Sequence, residues 1–135
     1  MSAKENKELE HRFLEEFNKG KAAAMAAIDR WIDIPDLKDF KQMESEIFDA
    51  FPDMHVTLDD MVAEGDKVAT RTTWTGTHKG EFMGVPPTNK KVTFSLIVIS
   101  RYAGGKIVED HGEYNALDLM RQLGLKEIPT PKKEK

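Results

Sequence analysis

The 135-residue chain contains no cysteine, which excludes disulfides, thiolate nucleophiles and cysteine-based zinc sites, and fits a reducing compartment. It has no apolar run near the roughly 20 residues that span a bilayer. Its first residues, Met1-Ser2-Ala3-Lys4-Glu5-Asn6-Lys7-Glu8, are charged rather than apolar, unlike a secretory leader. A soluble, cytoplasmic protein with no membrane partner is expected. Positive charge is not in excess either: 20 basic and 24 acidic residues give a net charge of −4. They form no basic stripe of the kind that neutralises phosphates, so no nucleic-acid partner is expected. Phosphate-binding glycine loops, Gly-x-Ser-x-Gly elbows and dinucleotide fingerprints are missing as well. Histidines 11, 55, 78 and 111 share no ligand spacing on a helix or strand, and no metal is expected. What remains is cofactor-free chemistry in a chain of single-domain length, able to bury roughly two thirds of its unfolded surface.

What is present is a change of hydrophobic period. Leu9, Phe13, Leu14 and Phe17 form a helical stripe closed by Asn18-Lys19-Gly20. An alanine-rich second helix, about 21–32, carries Met25, Ile28 and Ile32 on one face and stops before Pro35. Asp36 can cap a third, in which Leu37, Phe40, Met43, Ile47 and Phe48 recur until Pro52. After Pro52 the period becomes two, in residues 54–58, 68–77, 92–102 and 107–115, joined by turns at Glu64-Gly65-Asp66-Lys67 and Ala103-Gly104-Gly105-Lys106. A short helix ends at Gly124, and residues 128–135 read as a disordered polar tail behind a single domain, 1–127. Helices followed by antiparallel strands give an α+β domain. The strand at 92–102 is apolar on both faces, so both are expected to be covered, one by the core and one by a second subunit.

The last strand carries the densest polar constellation. Period two puts Glu109, His111, Glu113 and Asn115 on one face and Val108, Asp110, Gly112 and Tyr114 on the other. If the first face looks into a pocket, His111 and Glu113, about 7 Å apart along the strand, could hold an imidazole as general base. The alternative is an edge strand or dimer interface with ordinary hydration. Arg71 and Thr73, on the long strand, could line a cavity, although an arginine there also pairs readily with a carboxylate on a neighbouring strand. His78, in Gly76-Thr77-His78-Lys79-Gly80, is either a loop tie or a second proton carrier.

The run from Gly76 to Val92, with its three glycines and Pro86-Pro87, resembles the SnoaL-like polyketide cyclase family of the NTF2-like superfamily. Ala50-Phe51-Pro52-Asp53, Ala63-Glu64-Gly65-Asp66-Lys67-Val68, Gly105-Lys106-Ile107-Val108-Glu109 and Leu119-Met120-Arg121-Gln122-Leu123-Gly124 extend the likeness over about residues 5–127. The resemblance implies an NTF2-like cone, with N-terminal helices packed against a strongly curved, mostly antiparallel sheet around a pocket. It implies a small-molecule ligand, apolar with carbonyl groups, no cofactor, and a homodimer. In cyclases of this kind an aspartate near the end of the last strand acts as acid/base in an intramolecular aldol closure. The matching position here is Asn115, which cannot shuttle a proton but can hydrogen-bond a carbonyl. His111 stands where the family usually has tryptophan. Related chains also carry a longer connection between the second and third helices, so Ile32-Asp33-Ile34-Pro35-Asp36 is expected to leave a pocket that is smaller or more open. Trp31 would plug the gap or lie on a patch that a partner covers. Residues and resemblance together leave two functions: a cofactor-independent cyclase or isomerase acting on a carbonyl compound, with His111 and Glu113 as catalytic groups and Asn115, Arg71, Thr73 and His78 as binding groups, or a binding or dimeric interaction module that has lost the catalytic aspartate.

Overall fold

Ser2 and Glu5 form a capping box that starts α1 (Ala3–Phe17): the Glu5 amide donates to the Ser2 hydroxyl, and the Ser2 amide donates to the Glu5 carboxylate. α2 (Lys21–Trp31) and α3 (Leu37–Ala50) follow, then β1 (His55–Glu64), β2 (Lys67–Thr77), β3 (Lys91–Ala103), β4 (Lys106–Tyr114) and α4 (Ala116–Gln122). The computed structural model describes residues 2–125, and the expected tail at 128–135 lies outside them. The four strands form one antiparallel sheet in the order β1-β2-β3-β4. Its consecutive hairpins follow from the tight turns predicted at Gly65 and Gly104-Gly105. β1 runs further than the alternation of residues 54–58 suggests. Its register against β2 shifts between Leu58 and Asp60, and the extra residue in such a bulge bends a strand and hides its second half from a period-two count.

Two buried clusters fill the space between helices and sheet. One joins Phe17, Phe48, Phe51, Val56, Trp74 and Leu119. The other joins Ile28, Ile32, Val68, Tyr102 and Ile107. Asn18, just past α1, ties the helical layer to the sheet edge: its side-chain amide donates to the Val56 carbonyl and accepts from the Val56 amide, both at 2.8 Å. The side chain thereby pairs with β1 as a neighbouring strand would. The short link between α2 and α3 is fixed by a parallel bridge from Ile32 to Ile107 and by the Asp33 amide donating to the Ile107 carbonyl at 2.8 Å. Trp31 is half-buried, edge-on to Phe13 and covered by the Arg30 guanidinium.

The long β2–β3 loop is anchored on the end of α3. Lys79 and Gly80 both donate to the Ala50 carbonyl, and a Cβ on Gly80 would stand 2.4 Å from the Asp49 carbonyl oxygen. Only glycine allows that approach.

No helix among the described residues is long and apolar enough to cross a membrane.

Candidate active site

Between helices and sheet lies a cavity of about 830 Å³, walled by residues of both clusters. It is not shrunken. Exposed residues line it from α3, at Met43 and Glu46, from the β2–β3 loop, at Glu81 and Met83, and from β4, at Gly112 and Tyr114. One wall is a run of aromatic rings. Phe17 meets Trp74 edge-on at 5.4 Å, Trp74 stacks on Phe94 at 5.9 Å, and Phe94 meets Tyr114 at 5.7 Å. The wall arises because alternate residues of three adjacent strands share a face: Trp74 is registered with Phe94, and Leu96 with Tyr114. The Trp74 indole donates to the Thr72 hydroxyl, which donates to the Leu96 carbonyl, so its N–H is satisfied away from water.

The same register decides which face of β4 looks inward. Ser100 pairs with Asp110, Val98 with Gly112 and Leu96 with Tyr114, and all six line the cavity. Gly112 lies between Asp110 and Tyr114 on the cavity face; a Cβ there would touch Leu96 and Val98 at 3.3 Å. The expected arrangement on this strand is therefore corrected. His111 pairs with Ile99 and Glu113 with Ile97, on the outer face, where His111 is 79% exposed and its Nε2 lies 3.9 Å from Glu109. Neither His111 nor Glu113 lines the cavity.

The expected binding groups are scattered. Arg71 and Thr73 alternate with the lining residues Thr70, Thr72 and Trp74 and so point outward. There Arg71 lies 3.9 Å from the Asp59 carboxylate and Thr73 donates to it. Asn115 caps α4, its Oδ1 accepting from the Asp118 amide at 2.9 Å. His78 is fully buried behind Phe51, 5.5 Å between ring centroids, with Nδ1 3.0 Å from the Thr88 hydroxyl. Its Nε2 is buried without a partner.

Three other carboxyl groups face inward: Asp110 from β4, Glu10 from α1 and Glu44 from α3. Burial pushes the Asp110 carboxyl up, against a counteracting hydrogen bond from Ser100 at 3.4 Å. Burial also raises Glu10, although the Tyr102 hydroxyl donates to it at 2.6 Å, and Asp110 adds repulsion. Glu44, 7% exposed, is pushed up to about 7 by burial, again reinforced by Asp110. A signal for the two glutamates was present in the sequence. Glu10 lies on the stripe Glu10-Phe13-Leu14-Phe17 and Glu44 on Phe40-Glu44-Ile47-Phe48, carboxylates on otherwise apolar helix faces. Carboxyl groups that share a cleft, two of them buried and Asp110 half-buried, and that have raised affinity for protons are suited to accept and return one.

The helices over a curved antiparallel sheet, closing an apolar cavity lined by carboxyl groups, define an NTF2-like cone. The chain belongs to the SnoaL-like polyketide cyclase family, whose model matches residues 11–123. Among solved structures it is similar to AclR, a candidate hydroxylase from Streptomyces galilaeus, with 32% identity over 91% of this chain and 98% of that one, at a TM-score of 0.81. It is also similar to IdmH, a candidate polyketide cyclase from Streptomyces antibioticus, with 28% identity over 89% and 99% of the two chains and a TM-score of 0.76. A SnoaL-like protein from Jannaschia Sp. CCS1 shares the fold at a TM-score of 0.80, with 19% identity over 93% and 95% of the chains. No curated protein matches the chain.

Proposed function

We propose that the protein catalyses cofactor-independent proton transfer on a small carbonyl compound, of the ring-closing type, with Asp110 as acid and base. The observation that carries this reading is Asp110 itself, an inward-facing carboxyl group with raised proton affinity beside the Ser100 hydroxyl. The Asp110 carboxylate takes a proton from a carbon between two carbonyls. The resulting enolate carbon bonds to a second carbonyl carbon of the same molecule. The alkoxide so formed recovers the proton from the Asp110 carboxyl, so the net change is an isomerisation. Such carbon acids are already acidic, and one positioned base with a hydroxyl donor suffices. Tyr114 supplies a hydroxyl on the same face, and the aromatic wall holds a flat apolar body.

The test is solvent-deuterium exchange at the acidic carbon of a β-ketoester, followed by NMR. Exchange above the buffer rate is expected, falling at least ~100-fold in Asp110→Asn and staying within about twofold in His111→Ala. Exchange that survives Asp110→Asn would refute the assignment. A second reading, a ligand-binding module without turnover, is favoured by Asn115, which stands at the family's aspartate position and is occupied in capping α4. Absence of exchange in the natural protein, with exchange gained in Asn115→Asp, would establish that reading instead.

The assembly we propose is a homodimer through the outer sheet face. Val62, Ile97 and Ile99 are 61%, 54% and 49% exposed there. Arg71 and Glu113 flank Ile97 in one cross-strand row, and a two-fold axis through that row would bring each arginine to the other copy's glutamate. His111 and Glu113 then serve assembly rather than chemistry. Cytoplasmic location belongs to the same proposal and rests on the lack of cysteine.

A further inference from the structure

The ionisable groups around the cavity are all of one sign. Glu10, Glu44, Glu46, Glu81 and Asp110 line it, and among the described residues no lysine, arginine or histidine does. Glu10, Glu44 and Asp110 come from three separate elements, α1, α3 and β4. Three nearby hydroxyl donors are engaged within the protein: Tyr102 donates to Glu10, Thr72 to the Leu96 carbonyl and Ser100 to Asp110. Glu44 is left over. It is 7% exposed, it lines the cavity, and its Oε2 is buried without a hydrogen-bond partner. A buried acceptor in that state costs free energy unless something supplies a donor, and Glu44 is one of the residues lining the cavity.

Resting on the reading of this cavity as a ligand site, we propose that the ligand carries a protonated amine, held by Glu44 and Glu10 beside Asp110, with its apolar body along the aromatic wall. An ammonium has three donors and one positive charge, which matches several acceptors of negative sign. A neutral hydroxyl would satisfy one acceptor and leave the repulsion among the carboxyl groups in place. A carboxylate or phosphate would add to it. A metal ion fits less well, because no three carboxylate or histidine side chains among the described residues converge as ligands. The cation has a further effect on chemistry. Placed beside Asp110, it opposes the burial that raises that group's affinity for protons, so the amine helps generate the base that acts on the rest of the molecule.

Calorimetry with three probes of one shape tests this: 2-(2-naphthyl)ethylamine, 2-(2-naphthyl)ethanol and 3-(2-naphthyl)propionate. The amine is expected to bind at least about tenfold tighter than the alcohol, and the propionate not measurably. Glu44→Gln should weaken the amine at least about tenfold and leave the alcohol within about twofold. In the unaltered protein at pH 6.5, titrations in two buffers of different ionisation enthalpy should show protons released by the amine and none by the alcohol. This second readout decides the matter if the variant does not fold. Alcohol binding as tight as the amine, or amine binding without proton release, overturns the inference and leaves the cavity reading standing. Failure of all three to bind at millimolar concentration overturns both.

Discussion

Single residues on unexpected backgrounds carry most of the functional meaning. Glu10 and Glu44 are carboxylates on apolar stripes, and each faces the cavity rather than water. For Glu44 the raised affinity for protons has a consequence for stability. Folded, it titrates at about 7 against an ordinary 4.5, so between these values the native state holds a proton that the unfolded chain has lost. Stability from this group is therefore highest below pH 4.5, falls as pH rises to about 7, and is flat above. The fall is on the order of 3 kcal/mol. Glu44→Gln should remove the slope and stabilise the protein at pH 8 by about 2 kcal/mol, read from urea unfolding at pH 5 and pH 8. An unchanged slope would show that Glu44 is ionised and solvated in the native state. Gly112 makes a complementary point. A side chain there would enter the cavity against Leu96 and Val98, so Gly112→Val should cut binding of the naphthyl probes at least about tenfold while changing stability by no more than about 1 kcal/mol. Full binding in that variant would place the ligand away from Gly112.

At the scale of elements, the sequence was informative where periods were clean and silent where two faces were alike. Helical spacing at Leu9 to Phe17 and Leu37 to Phe48, and period two from Val68 to Thr77, marked their elements because one face of each is apolar. β4 was different. Glu109-His111-Glu113 and Asp110-Gly112-Tyr114 are both polar enough to face water, and a step of one residue exchanges inside for outside. The deciding information is non-local: Ser100 opposite Asp110 and Leu96 opposite Tyr114 follow from the turn at Gly104-Gly105 and the register shift at Arg101/Tyr102. The bulge near Asp59 concealed half of β1 in the same way. The β2–β3 loop supplies a prediction of its own. It is held in place through Gly80, which lies against the last turn of α3, and Gly80→Ala forces a Cβ onto the Asp49 carbonyl. A loss of about 2 kcal/mol in denaturant unfolding is expected. A loss under about 0.5 kcal/mol would mean that the loop can lift from α3 freely.

On the scale of the whole molecule, the two faces of the sheet differ. Its inner face carries the aromatic wall and Asp110, and its outer face carries Val62, Ile97, Ile99, Arg71, His111 and Glu113. The dimer belongs to this scale. Sedimentation equilibrium at micromolar concentration should give twice the 15.3 kDa chain mass. Ile97→Asp should raise the dissociation constant at least about tenfold, or about 1.4 kcal/mol. A sole species at the chain mass would rule out the dimer.

The central claim is that ligand and chemistry lie on the Asp110 face and not on the His111 face. Carbon-detected NMR of the aspartate and glutamate carboxyl groups, with pH titration before and after adding a β-ketoester, tests it most directly. Asp110 is predicted to titrate above the ordinary aspartate range, as its burial requires, and its resonance should move when the ester binds, while Glu113 and the His111 ring stay unchanged. An Asp110 that titrates normally and ignores the ester, with Glu113 and His111 responding instead, would contradict the account.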